Sequence, residues 1–423
     1  QESINIRKDN KPFVFYEGPP SANGMPGIHH MMARTIKDIF CRYKTQKGFL
    51  VNRKAGWDTH GLPVELSVEK ELGITKEDIG KKISVEEYNK KCQEAVMKYT
   101  DVWNDLTEKM GYWVDMDSPY ITYHNKYIET VWWLLGQLYQ KGLIYKGYTI
   151  QPFSPAAGTG LSTHELNQPG TYRDVKDTTV TAQFKAEKEG TLLQDFDGDI
   201  FFIAWTTTPW TLPSNTALAV GPKIKYSLVK TVNAYTFEPI TVVLASDLIN
   251  KHFSEKAKEI KFEDYKPGDK LIPFEVLSEY TGQELEGIKY QQLLPYKQPE
   301  DGDAFRVIPG DYVSTEDGTG IVHIAPSFGA DDARVAKAAG IGSLTLVNHQ
   351  GKFTEEMGEF ANKFVKNEYY DDGQAPDKSV DVEIAIKLKE ENKAFKVEKY
   401  VHSYPHCWRT DKPVLYYPLD SWF

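Results

Sequence analysis

Two adjacent histidines, His29 and His30, end the segment YEGPPSANGMPGIHH at residues 16–30, and Asp58 sits in a second turn, GWDTHGLP, at residues 56–63. Imidazoles at the start of a helix can donate to phosphate oxygens, where free N–H groups and the helix dipole already favour an anion. A carboxylate in a turn after a strand can hold a ligand ammonium by a charge-assisted hydrogen bond. Together they suggest a nucleotide beside a small, positively charged ligand. Each residue also has a plainer use, the histidines as caps or surface groups and Asp58 as a helix N-cap or turn former. A second constellation lies downstream. WTTTPWTLP at residues 205–213 packs four hydroxyls into a turn after an apolar strand, and GTGIVHIAPSFGADD at residues 318–332 puts His323 on a strand with Asp331 and Asp332 at a helix start. Threonine runs are common in ordinary strands, and aspartates commonly cap helices.

The elements that must position these residues follow from hydrophobic periodicity. Residues 13–16 read as a short buried strand. From Ile28, the residues Met32, Ile36, Phe40 and Tyr43 recur at helical spacing up to Gly48, and residues 49–52 then complete a βαβ unit. Tyr88, Cys92, Val96, Tyr99, Trp103, Leu106 and Met110 predict one long helix stopped by Gly111. A further helix spans residues 125–141, before Gly142. From about Tyr148 to Val401 the pattern becomes short β-branched strands at Ile200, Ala217, Tyr226 and Ile240, with helices over 331–339 and 381–393. That is an α/β first part with a strand-rich second domain. Residues 401–423 read as a return to the first.

The chain has 423 residues, enough for more than one domain, and its 26% charged and 40% hydrophobic content is that of a globular protein. A net charge of −10 does not by itself announce nucleic-acid binding. Three scattered cysteines, Cys41, Cys92 and Cys407, fit neither a disulfide framework nor a cysteine zinc site, and point to the cytoplasm. No apolar run approaches membrane-spanning length. Gln1 and Phe423 read as positions within a longer chain.

Six motifs, YEGPPSANG, TIKDIFCRYKTQKG, RKAGWDTHGLPVELSVEKELG, TTTPWTLPSNTALAV, GTGIVHIAPSFGADD and HSYPHCWRTDKP, occur in an order that resembles the class I aminoacyl-tRNA synthetases, in particular their isoleucine-specific branch. The resemblance covers essentially the whole chain. It implies the first half of a Rossmann-type catalytic domain (1–148), a connecting β-rich stem (149–182), an inserted editing domain (183–395) and return strands (396–423). It implies ATP, with Mg2+, as a substrate, with isoleucine and tRNA(Ile) as partners, valine as the edited substrate, and a monomer away from membranes. Gly18, Pro19 and Asp58 would line the isoleucine pocket, Asp58 taking the α-ammonium, and Trp422 would close it. Asn23, His29 and His30 would face ATP.

One departure stands out. The family signature after the proline is His-x-Gly-His, whereas Pro26 is followed by Gly27, Ile28, His29 and His30. His29 is expected to take over the phosphate contact, with Gly27 relieving crowding at the bend. Where many relatives carry a CPxC zinc knuckle, this chain has Ser154 and Ala157, so no zinc is expected and His164 reads as structural.

The second constellation resembles the editing pocket of the isoleucine, valine and leucine enzymes, and tryptophan after Thr-Pro points to the isoleucine branch. By that likeness Asp332, with Asp331 beside it, would hold the ammonium of misattached valine. Thr206, Thr207, Thr208 and His323 would orient the ester, the terminal ribose and the attacking water. Isoleucine against valine is the standard example of why such a site exists, since one missing methylene is worth only about 1–3 kcal/mol. Two other functions remain open: an editing hydrolase without synthetic activity, and a small-molecule nucleotidyltransferase, against which the long insertion argues. No KMSKS-type loop or anticodon-binding region occurs in these residues. They are therefore expected to fail ATP–pyrophosphate exchange on their own while still hydrolysing Val-tRNA. Robust exchange by the 423 residues would overturn this reading.

Overall fold

The computed structural model describes residues 2–300 and 302–423. They form two compact units, one of residues 2–145 with Trp422 and Phe423, the other Lys146–Ser421.

The first unit is built on Ile28–Gln46, a helix that starts directly after Pro26-Gly27 and stops at Gly48, whose φ of +89° suits glycine. Residues 13–16, expected as a strand, form no strand. Only a single parallel bridge, Pro12 with Leu50, survives there. Val14, Phe15 and Tyr16 stand exposed, so the burial that would hold a pleated strand is not supplied. The strand expected at 49–52 forms instead at Lys54–Trp57, paired in parallel with Asp115–Ile121. The single long helix expected through Tyr88 and Met110 is two helices, Val85–Val96 and Thr100–Lys109. The break has a cause: the Tyr99 backbone N–H leaves the helical ladder to donate to the Ala22 carbonyl at 3.0 Å. Leu62–Leu72 is a helix the periodicity did not reveal, with Pro63 in its first turn and Gly73 left-handed at its end. Asn125–Gln140 is helical as expected.

The second unit centres on a six-stranded sheet. Its order is Glu275–Thr281, Lys225–Val232, Pro239–Ala245, Ile200–Thr206, Tyr172–Lys185 and Ala394–Pro405, antiparallel except between Pro239–Ala245 and Ile200–Thr206. Those two central strands are nearly continuous apolar runs because both of their faces are covered. A second sheet places Ala217–Val220 between Arg306–Pro309 and Ile321–Ile324. The core between them includes Phe184, Phe202, Leu218, Tyr226 and Tyr290. Helices Ala330–Ala338 and Val380–Glu390 lie close to the expected spans. Among the described residues no helix is long and apolar enough to cross a membrane.

Gly56 shows how tightly the first unit is fitted, since a Cβ there would lie 2.3 Å from the Tyr120 ring. Gly56→Ala should cost about 1–3 kcal/mol, read as a lower urea midpoint. An unchanged midpoint would show that the ring does not need the glycine.

Candidate functional site

The first site is assembled by backbone tethers. The Asp58 N–H donates to the Pro20 carbonyl at 2.9 Å, which sets the 18–20 turn against GWDTHG. Trp103 Nε1 donates to the Gly24 carbonyl at 2.9 Å, and Ala22, Trp57 and Trp103 pack beneath as a buried cluster. Asp58 and Gly18 are left exposed, with Pro19 and Asn23 half-buried. A cavity of about 400 Å³ opens beside them, lined by Pro19, Glu17, Arg34, Trp57, Tyr112 and Tyr120 among others.

The hydrogen bonds of the histidine pair fix its tautomers. The Gly27 N–H donates to His30 Nδ1 at 3.0 Å, so neutral His30 carries its proton on Nε2. That nitrogen lies 3.1 Å from His29 Nε2, which must accept, leaving His29 with an Nδ1–H. His30 packs edge-on against Trp103, and its pKa is lowered by burial, then by His29 and Arg34. The His29 ring folds back over residue 27, where a Cβ would stand 2.8 Å from it. Glycine at 27 is therefore what leaves room for the imidazole at 29. One turn on, buried Arg34 donates to Thr107 at 2.7 Å and stacks over Trp103 and Tyr112.

The second site joins two motifs more than a hundred residues apart. Thr206 ends its strand, and its Oγ1 accepts the Thr208 N–H at 3.1 Å while lying 3.2 Å from Thr208 Oγ1. The turn Pro209–Ser214 follows. From it Thr211 Oγ1 meets His323 Nε2 at 2.8 Å and donates to the Thr208 carbonyl at 2.9 Å. Asn215 Nδ2 faces His323 Nδ1 at 3.3 Å, and Tyr290 Oη donates to Asn215 Oδ1 at 2.6 Å. Only one set of directions satisfies every partner. Tyr290 donates to Asn215, Asn215 to His323 Nδ1, His323 Nε2–H to Thr211, and Thr211 to the Thr208 carbonyl. His323 is thus neutral, and burial lowers its pKa to about 4. Asp332 Oδ2 accepts the Ala325 N–H at 2.8 Å, and its carboxyl lies back over Gly329. Burial raises its pKa to about 6, the Ala325 N–H opposing and Asp331 adding to the rise.

Residues 1–423 match the family described as tRNA synthetases class I (I, L, M and V). The chain belongs to that family. Curated relatives named isoleucine–tRNA ligase match over its full length, at 65% identity in Cytophaga hutchinsonii, 64% in Bacteroides fragilis and 44% in Clostridium acetobutylicum. The chain spans only 40%, 39% and 36% of those proteins. A solved structure described as "The crystal structure of GlLeuRS-CP1" aligns with 52% of this chain and 99% of its own at a TM-score of 0.33 and 15% identity, too loosely to bear on the fold.

In this class I synthetase chain the structure brings Thr206, Thr208 and His323 into one hydrogen-bonded cluster, with the Asp332 loop beside it through Phe328, whose ring packs 5.0 Å from Trp210. Thr207 has no partner in that network. Asp331 points elsewhere, pairing with Arg334 on an exposed helix face at 3.3 Å. Trp422 does not line the cavity near Pro19 but packs edge-on against Tyr139, because the Tyr145–Phe423 backbone pairing ends its strand there. Ser154, at the zinc-knuckle position, accepts the Ala157 N–H and is buried. Three partners, Thr211, Asn215 and Tyr290, were missed. The first two lie within TTTPWTLPSN itself, and the signal was a buried histidine needing a donor and an acceptor.

The linkage of His323 has a definite sign. Its folded pKa lies below the unfolded value of 6.5, so stability present above pH 6.5 is lost as pH falls towards about 4. The size is about 3 kcal/mol. Asp332, raised to about 6, works the opposite way by taking up a proton on acidification. The test therefore compares wild type with His323→Gln by urea denaturation at pH 7 and pH 4.5. The wild type should lose stability relative to the variant on acidification. A pH-independent difference would refute the buried neutral imidazole.

Proposed function

We propose that this chain is part of an isoleucine–tRNA ligase whose second unit hydrolyses Val-tRNA(Ile). The observation that carries the reading is the Thr211–His323 hydrogen bond, which makes one site of the threonine turn and the His–Asp motif. In the hydrolysis, a water oxygen attacks the valyl ester carbonyl. The acyl C–O bond breaks, and the ribose oxygen that carried the valyl group leaves with a proton. Asp332 as carboxylate holds the valyl ammonium. The hydroxyls of Thr206 and Thr208, with Thr207 beside them, orient ester, ribose and water. His323 acts by position rather than as a base, since both of its nitrogens are engaged in holding the turn.

In the first unit Gly18, Pro19 and Asp58 would receive isoleucine, and Asn23, His29 and His30 would face ATP, with His29 offering its Nδ1–H to phosphate. Mg2+ would arrive on the ATP phosphates. Among the described residues no group of three His, Cys, Asp or Glu side chains offers a metal a protein site of its own. The reading carries with it tRNA(Ile), isoleucine and valine as partners, no zinc, and a cytoplasmic monomer.

Asp332→Ala should abolish deacylation of Val-tRNA(Ile) while leaving the fold intact. In the wild type, kcat/KM should fall as pH drops through about 6, because only the carboxylate holds an ammonium. Wild-type hydrolysis by Asp332→Ala would refute the role.

A further inference from the structure

Beneath the threonine turn lies a buried charge cluster that the hydrolysis does not use. Lys366, itself buried, places Nζ 3.0 Å from Asp177 Oδ2 and 3.6 Å from Asp381 Oδ2. His402 Nε2 lies 3.2 Å from the same Asp177 oxygen, and the Lys366 ammonium rests over the Tyr404 ring. Asp381 turns its other oxygen outward from this cluster, and Oδ1 accepts the Trp210 backbone N–H at 2.9 Å. Trp210 is the residue between the prolyl start of the turn and Thr211.

The turn needs such an anchor. Pro209 and Pro213 have no N–H to give, and Pro209–Ser214 is a single short 3-10 turn, a form with weaker hydrogen-bond geometry than an α-helix. Trp210 Nε1, Ser214 Oγ and Thr216 Oγ1 are buried without partners, so they do nothing to select this conformation. The bond from Asp381 is an external one, charge-assisted, and made from a helix, Val380–Glu390, that also packs against the neighbouring strand Tyr172–Lys185.

We propose that Asp381, ion-paired with Lys366 and bonded to the Trp210 N–H, is a positioning residue that sets the Pro209–Ser214 turn and through it the Thr211–His323 contact. Burial raises the Asp381 pKa to about 6, with Lys366 opposing the rise, while Lys366 and His402 both face the half-buried Asp177. The proposal rests on the editing reading for its functional consequence, but its structural content stands apart from it.

The experiment uses the 423-residue chain as wild type, Asp381→Ala, Asp381→Asn and a control, Ile384→Ala, a core residue of the same helix whose side chain has no hydrogen-bonding group to offer the turn. Asp381→Ala should lower kcat for Val-tRNA(Ile) hydrolysis on the order of 100-fold with KM unchanged. Asp381→Asn, which keeps an acceptor for Trp210, should recover most of that loss. Ile384→Ala should lower the melting temperature without this kcat effect. In parallel, hydrogen exchange by mass spectrometry should show faster exchange of peptides spanning 205–216 in Asp381→Ala, and near wild-type exchange in Asp381→Asn. Folded Asp381→Ala with unchanged exchange over 205–216 would overturn the proposal, as would equal kcat losses in Asp381→Ala and Ile384→Ala. A wild type that fails to hydrolyse Val-tRNA(Ile) would instead sink the editing reading, and the exchange data would still decide the positioning role.

Discussion

An imidazole buried in an apolar sheet must be neutral, and a neutral imidazole has one donor and one acceptor. In the second unit this constraint falls on His323, and the surrounding side chains are arranged to meet it. Tyr290 fixes which way the Asn215 amide faces, the amide fixes the tautomer, and the tautomer fixes what Thr211 must do. The hydroxyl rotors of the threonine turn are therefore set from the core outward. The site is shaped by the bonds its buried groups have to make.

The first unit solves a different problem. Its 18–24 loop has little side-chain bulk to hold it, so it is pinned by backbone carbonyls, Pro20 to Asp58, Ala22 to Tyr99 and Gly24 to Trp103. These bonds hold a proline- and glycine-rich loop in one shape while leaving Asp58 and Gly18 open to solvent. One of them also breaks a helix, which shows that the loop is favoured over an uninterrupted helical ladder.

This contrast explains what could be read from sequence. In the second unit the strands at Ile200, Ala217, Tyr226 and Ile240 are legible because both of their faces are buried and their residues say so. The helix start after Ser379 carries a side-chain cap, the serine hydroxyl accepting the Val382 N–H, whereas Gly329 offers none. In the first unit, residues 13–16 have a strand's composition but stand in solvent, and nothing in the apolar spacing of residues 88–110 betrays the detour at Tyr99. The candidate residues His323 and Asp332 were visible as types in a motif. Tyr290 and Asp381 were not, because Tyr290, at an isolated β-bridge, and Asp381, on a helix, lie far along the chain from the threonine turn, and only the fold brings them near.

The fit between Gly27 and the ring of His29 couples two positions that a comparison of motifs would treat as independent. Placing a side chain at 27 while His29 stays put forces the ring to swing off its hydrogen bond to His30. Removing His29 first leaves the turn with a single imidazole. Any route of single substitutions between this arrangement and His-x-Gly-His therefore passes through a chain with either a displaced ring or a missing one. Transplanting one residue from either signature into the other should therefore not be expected to reproduce its chemistry.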